Sequence, residues 1–249
     1  MRIVFLLLVC ASLTAQTSDP VFDAASIRPS PPFETSRREF NLGPGGGPGT
    51  ADPGRYSCYF CNVSQLIALA YGVTEYRIFS ASRLPEGRFD IVAVVPAGAT
   101  REQLRMMLQH LLAERFKLAV HHESREMQTF RLVVARGGPK LTAHVEDAPA
   151  AVDRRPDTGD RPRGVTYRVK GKTMTDFARA VSGQLRRPVT DATGLTGKYD
   201  FDLWWTVDDN PDAPTLSSVI QSLGLKLESR KEPVEVVVIE HVEKSPTEN

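Results

Sequence analysis

Little in this chain commits it to a chemistry. Its three cysteines are Cys10, Cys58 and Cys61, and the C-x-x-C of the last two has no second C-x-x-C to complete a zinc site. Neither sign of charge dominates, with 31 Lys and Arg against 30 Asp and Glu. Bulk charge therefore excludes recruitment to nucleic acid or to an anionic surface. No apolar run reaches the ~20 residues that a membrane-spanning helix needs. Neither G-x-S-x-G nor H-E-x-x-H occurs. Residues 43–49, "GPGGGPG", lack the Lys-Ser/Thr of a phosphate loop, hold two prolines and lead into "TADPG" instead of a helix. What is present is ordinary for a soluble globular protein: 249 residues, 41% hydrophobic and 24% charged, enough for one large or two small domains.

The N-terminus has the layout of a secretory signal. Met1-Arg2 is a short positive region, residues 3–9 are uninterruptedly apolar, and "ASLTA" supplies small residues before Gln16. Residues 1–15 are expected to be cleaved. The alternative, lipoprotein processing at Cys10, has Leu7-Leu8-Val9 before it, where a small residue is wanted. Cleavage after Ala15 removes Arg2 and Cys10. It leaves a chain of balanced charge and one cysteine pair in an oxidising compartment, periplasmic or extracellular.

An internal repeat organises the rest. Tyr56 aligns with Tyr167, Val63-Ser64 with Met174-Thr175, Leu66 with Phe177, Gly72 with Gly183 and Ile78 with Val189. After a one-residue slip "GRFDI" (87–91) falls on "GKYDF" (197–201), and "RFKLAV" (115–120) falls on "GLKLES" (224–229). "FRLVVA" (130–135) and "EVVVIE" (235–240) close the copies. Leu66, Ile67, Leu69 and Ala70 stand at helical spacing behind Asn62 or Ser64 as cap, and Phe177, Ala178 and Val181 match them. Thr100-x-x-Gln103 is a capping box for a longer helix, and Thr215 opens its shorter counterpart. The expectation is an α+β fold of two tandem β-α-β-β-α-β-β modules with helices on small mixed sheets. The first module, 16–135, carries an extra N-terminal strand at 21–28 and a Gly/Pro-rich loop. A breaker-rich linker occupies 136–163, and the second module occupies 164–249.

Each chemical motif has a plainer explanation. Cys58 and Cys61 fall opposite Val169 and Lys172 of the second copy, so the fold itself does not require cysteine there. The thioredoxin βαβ context is missing, and a local disulfide or two idle thiols stands ahead of a redox dithiol. His121 and Glu123 share a strand face, a solvated pair before a metal site. Asp157-Thr158-Gly159 copies an aspartic-protease triplet but lies in an Arg- and Pro-rich linker. Asp191 heads a turn in "DATG". Asp90 and Asp200 recur at equivalent repeat positions, which argues for a shared structural role. Asn62-Val63-Ser64 fits a glycosylation sequon and implies nothing further. No metal site and no cofactor is implied. Trp204 and Trp205 are adjacent on a strand, so one faces the core and the other is a candidate anchor for a partner.

"VFDAASIRPS", "LIALAYGV", "MLQHLLAERFKLAVHHESRE", "RPVTDATGLTGKYDFDLWW" and "LGLKLESRKEPVEVVVIEHVEKSPTEN" resemble, in order, an uncharacterised exported family abundant in soil acidobacteria. The resemblance covers nearly all the mature chain. It departs where that family carries a Trp before "FDI" and this chain has Leu84 and Pro85. Some members look fused or linked to membrane metallopeptidases, which implies envelope signalling. Each half is also similar to the short N-terminal domain of secretins and TonB-dependent receptors, which implies a docking module. The expected function is a non-catalytic, partner-binding, accessory or sensory envelope protein. An exported hydrolase using Asp191, Asp200 or His121/Glu123 is the alternative. Strand addition at an exposed edge is the expected binding mode, at 130–135 or 235–240, with Val237 and Ile239 on the contact face.

Overall fold

A computed structural model describes residues 19–32, 42–146, 164–207 and 212–247. The expected signal peptide and the 147–163 part of the expected linker lie outside the described residues. In chain order the elements are β1 (Ala24–Pro29), β2 (Gly43–Gly46), β3 (Arg55–Asn62), α1 (Val63–Tyr71), β4 (Ile78–Ser80), β5 (Arg88–Val94), α2 (Arg101–Phe116) and β6 (Ala119–Val134). There follow β7 (Thr142–Ala143), β8 (Gly164–Lys172), α3 (Met174–Leu185), β9 (Val189–Asp191), β10 (Tyr199–Thr206), α4 (Leu216–Ser222) and β11 (Leu225–His241). The fold is α+β and carries the repeat: β3-α1-β4-β5-α2-β6 is followed by β8-α3-β9-β10-α4-β11.

Each helix starts on a side chain that satisfies an otherwise unpaired amide. Asn62 Oδ1 accepts from Gln65 N at 2.7 Å and Gln65 Oε1 accepts in return from Asn62 N; Thr100 and Gln103 repeat the box on α2, and Thr173 and Asp176 on α3. Thr215 caps α4 through Ser218 N. Such a cap stabilises by about 1 kcal/mol. Buried Val63, Leu66, Ile67 and Ala70 give α1 one apolar stripe, as Met107, Leu108, Leu111 and Leu112 do for α2.

The two closing strands expected in each copy are one continuous strand, of 16 residues in β6 and 17 in β11. The polar middle of β6 contains no glycine or proline, and side-chain bonds tie it to β11: Gln128 to Ser229 and Thr129 to Glu232. The repeat register also moves by two residues here. Lys117 and Gly224 both turn left-handed after their helices, so Leu118, not Phe116, corresponds to Leu225 (φ 50° and 70°).

The described residues form two compact units, those within 1–121 together with those from 237 onward, and those within 122–236. In the first, β1-β5-β3-β2 is an antiparallel sheet, and β4 pairs in parallel with β11 through Ile78 and Val237. In the second, β7-β10-β8 is the antiparallel sheet, and β9 pairs in parallel with β6 through Val189 and Phe130. Each copy of the repeat thus gives the end of its last strand to the other copy. Val237 and Ile239 enter the core of the first unit with Leu66, Ile91, Leu112 and Phe116. Leu132 enters the core of the second with Phe177, Phe201, Trp205 and Leu225. Phe89 meets Phe116 edge-on at 5.0 Å, and Phe177 stacks on Phe201 at 4.7 Å.

Candidate functional site

Cys58 and Cys61 are joined in a disulfide, and both are buried in the first unit's core. They bracket a bulge where β3 loses register with β5. Phe60, between them, has φ 59°, a left-handed conformation that disfavours a side chain by roughly 1–2 kcal/mol. The equivalent residue of the second copy is Gly171, with φ 62°. The first copy holds with a covalent bridge a turn that the second makes with glycine.

Asp90 and Asp200 serve these two bulges identically. Asp90 Oδ1 accepts from Phe60 N at 2.9 Å and from Ser30 Oγ at 2.5 Å. Asp200 Oδ1 accepts from Gly171 N at 2.9 Å and lies 2.7 Å from His144 Nδ1. The Gly171 amide, helped by His144 and Lys170, holds the Asp200 carboxyl below its usual range against an opposing desolvation. Ser30 and His144 follow equivalent strands: Ser30 N donates to Arg88 O and His144 N to Lys198 O. The extra strand expected only in the first module therefore has a counterpart in β7.

The other candidate acids and histidines are similarly engaged. Asp191 accepts from Thr193 N, Thr193 Oγ1 and Thr175 Oγ1 and so builds its turn. His121 lies 2.7 Å from Glu240, His122 lies 3.0 Å from Glu235, and Glu123 pairs with Arg125. Asp157-Thr158-Gly159 lies outside the described residues. Among the described residues no group of three or more His, Cys, Asp and Glu is placed to hold a metal ion. No described helix is long and apolar enough to cross a membrane.

The expected partner-binding residues are placed differently from the sequence reading. Trp205 is core, whereas Trp204 is half-buried with its indole against Gly164, where a Cβ would come within 2.6 Å of Nε1. Val237 and Ile239 are buried, at 0% and 3% exposure. Neither 130–135 nor 235–240 is an exposed edge, because β11 lies between β4 and β6, and β6 lies between β11 and β9. The parallel partners β4 and β9 are too short to announce themselves, and they occupy the backbone groups expected to be free.

A cleft of about 380 Å³ opens in the first unit among α1, α2 and the glycine-rich turn after β2. Its apolar wall includes Leu69, Val73, Leu104 and Leu108; Arg101, Arg105 and Thr50 also line it. Tyr56 belongs to the same wall, and its hydroxyl is fully enclosed with no hydrogen-bond partner. Burial pushes that phenol up to about 12, so it remains a neutral O–H. Sequence reasoning missed this site. The signal lay in the repeat: counted from the capping threonines, Arg101 and Arg105 of α2 fall on Leu216 and Ile220 of α4.

No curated protein and no solved structure matches the chain. Residues 64–242, well over half of it and spanning both copies of the repeat, match the family described as protein of unknown function (DUF3738), and the chain belongs to that family.

Proposed function

We propose that this is an exported envelope protein that binds a partner or ligand without catalysis, an accessory or sensory part. The observation that carries this is the fate of Asp90 and Asp200: each holds the amide of a left-handed bulge residue in its own copy. A carboxylate spent on a fixed backbone amide is a poor general base, because lone pairs that would take a proton are already engaged. Asp191 likewise accepts from a backbone amide, that of Thr193, and Glu123 is paired with the Arg125 side chain. Export is supported by the apolar segment at residues 3–9 and by the disulfide, which an oxidising compartment sustains. The resemblance of each half to secretin and TonB-receptor N-terminal domains agrees with a docking role, and the resemblance to an exported acidobacterial family agrees with the compartment.

Two measurements test the proposal. Expression of the full chain in a bacterium, with fractionation and thiol trapping, should give a shortened protein outside the cytoplasm with Cys58 and Cys61 oxidised. Retention at full length in the cytoplasm removes the export reading. A panel of ester, peptide and phosphoester substrates should give no turnover that Asp191→Asn, Asp200→Asn or His121→Ala abolishes. Turnover lost in any of these variants establishes the hydrolase instead.

A further inference from the structure

The cleft of the first unit has features that packing alone does not explain. Arg101 and Arg105 stand one turn apart on α2, where like charges oppose helix formation by a few tenths of a kcal/mol. Among the described residues Arg101 Nε donates only to the carbonyl of Pro48, at 3.2 Å. Neither guanidinium pairs with a carboxylate among the described residues. Around them the chain gives up side chains. A Cβ on Gly49 would come within 2.8 Å of the Arg101 guanidinium, and one on Gly72 within 3.1 Å of that of Arg105. A Cβ on Gly47 would come within 2.9 Å of Leu104. All three glycines have positive φ, so the backbone also favours glycine there. In the second unit the positions of Arg101 and Arg105 hold Leu216 and Ile220, which pack into the core. The two cations are thus an addition to the repeat, with space kept clear around them.

We infer that this cleft binds a carboxylate carried on an apolar body, the carboxylate held by Arg101 and Arg105 and the body lying along Leu69, Val73, Leu104 and Leu108. The inference deepens the binder reading and rests on it. Guanidinium forks fit a carboxylate with paired N–H bonds, and the rest of the wall offers carbon to a ligand. Phosphate fits less well, because a phosphate cradle presents several free backbone amides in a glycine turn. Here Gly47 N is already spent on Asp52 O and Arg55 O. Two sources carry the required chemistry: a free fatty acid, or the C-terminal carboxylate of an apolar peptide.

Calorimetric titration of the full chain with decanoate, and with N-acetyl-Leu-Leu-Val bearing a free carboxylate, tests this. At least one should bind, and its amide should bind about tenfold or more weakly, the worth of one charge-assisted hydrogen bond. Arg105→Gln and Arg101→Gln should each weaken binding by a similar factor, and Arg230→Gln in the second unit should not. Both cleft arginines are exposed, so these variants keep the fold, and amide shift changes on binding should centre on α1 and α2. Decanoate alone binding assigns the free acid, the peptide alone assigns the chain end, and both together assign any carboxylate of this class. The inference is overturned if neither carboxylate binds, if the amides bind equally, if both arginine variants bind as before, or if inorganic phosphate displaces the probe. Cleavage of the peptide would count separately, against the non-catalytic reading alone.

Discussion

At one place in each copy of the repeat the backbone turns left-handed, at Phe60 in the first and Gly171 in the second. Around that point the two copies share an aspartate, an amide and a side chain from the outer strand: Asp90, Phe60 N and Ser30 in one, Asp200, Gly171 N and His144 in the other. Only the first adds a disulfide. The difference teaches which parts the fold requires. The aspartate and the bulge are common to both, whereas the bridge accompanies a residue that resists the turn. The helices diverge in the same sense. α4 is a short helix of 7 residues with Leu216 and Ile220 turned to the core, and α2 has 16 residues with arginines at those positions and a cleft beside them.

The comparison breaks most easily at the exchanged strand ends. Ile239→Ala and Leu132→Ala each remove a buried side chain and should destabilise by about 2–5 kcal/mol. The damage should land crosswise in hydrogen exchange. Ile239→Ala should speed exchange in α1 and α2, and Leu132→Ala in α3 and β10. Exchange faster in the copy that each strand belongs to by sequence would refute the division into units.

Reducing the disulfide is the next largest effect. A bridge that closes so short a loop, with sequence separation 3, stabilises by about 2 kcal/mol on the chain-entropy account. The loss should be confined to the first unit. The Cys58→Ser/Cys61→Ser variant should keep whatever binding the protein has. A thioredoxin-like potential, with exchange onto a protein substrate, would instead make the pair a redox centre.

Exchanging the bulge residues sharpens the contrast further. Gly171→Ala should cost about 1–2 kcal/mol, since it places a side chain in the left-handed region. Its Cβ would also lie 3.2 Å from the His144 ring. Phe60→Gly should recover part of what disulfide removal loses, read as a shift in thermal midpoint. No recovery would mean that Phe60 is held by its packing, including the Arg88 guanidinium 5.4 Å from its ring.

The smallest effect is in pH. The folded pKa of Asp200 is lowered, first by the Gly171 amide, and that of Asp176 first by Thr173. A lowered carboxyl pKa contributes stability that is full above the unfolded value near 4, and that is lost as pH falls through the folded value. Asp200→Asn should therefore flatten the acid limb of the second unit's stability curve, monitored by the fluorescence of Trp204 and Trp205. An unchanged acid limb would mean that the Gly171 bond does not tune this carboxylate.

The local grammar of the fold was legible in the sequence. Thr100 and Thr215 cap helices as their spacing implies, Asn62 is the one of the two candidates Asn62 and Ser64 that caps α1, and the recurrence of Asp90 and Asp200 announced a structural role. The strand exchange was not legible. A repeat reveals which residues are equivalent, but pairing between Ile78 and Val237, far apart in sequence, depends on which core the strand end reaches. The length of β6 and β11 was hidden because their polar middles alternate too weakly to mark strand. The partner-binding expectation for Val237 and Ile239 failed for the same reason: without β4 in view, the last apolar strand looks like an open edge. The cleft was half legible, since aligning the helices by their caps exposes Arg101 and Arg105 as departures.

The exchanged strand ends also set the order in which the protein can mature. The first unit has most of its residues early in the chain, yet its core closes on Val237 and Ile239. Those residues leave a ribosome only after nearly all of the second copy has done so. Until then β4 lacks its partner, and Ile91, Leu112 and Phe116 lack part of their cover. The amino-terminal half must therefore wait in an incomplete state, open to chaperones and to threading, and domain-by-domain folding during synthesis is closed to it. Completion late in synthesis, between segments so distant, makes for slow folding.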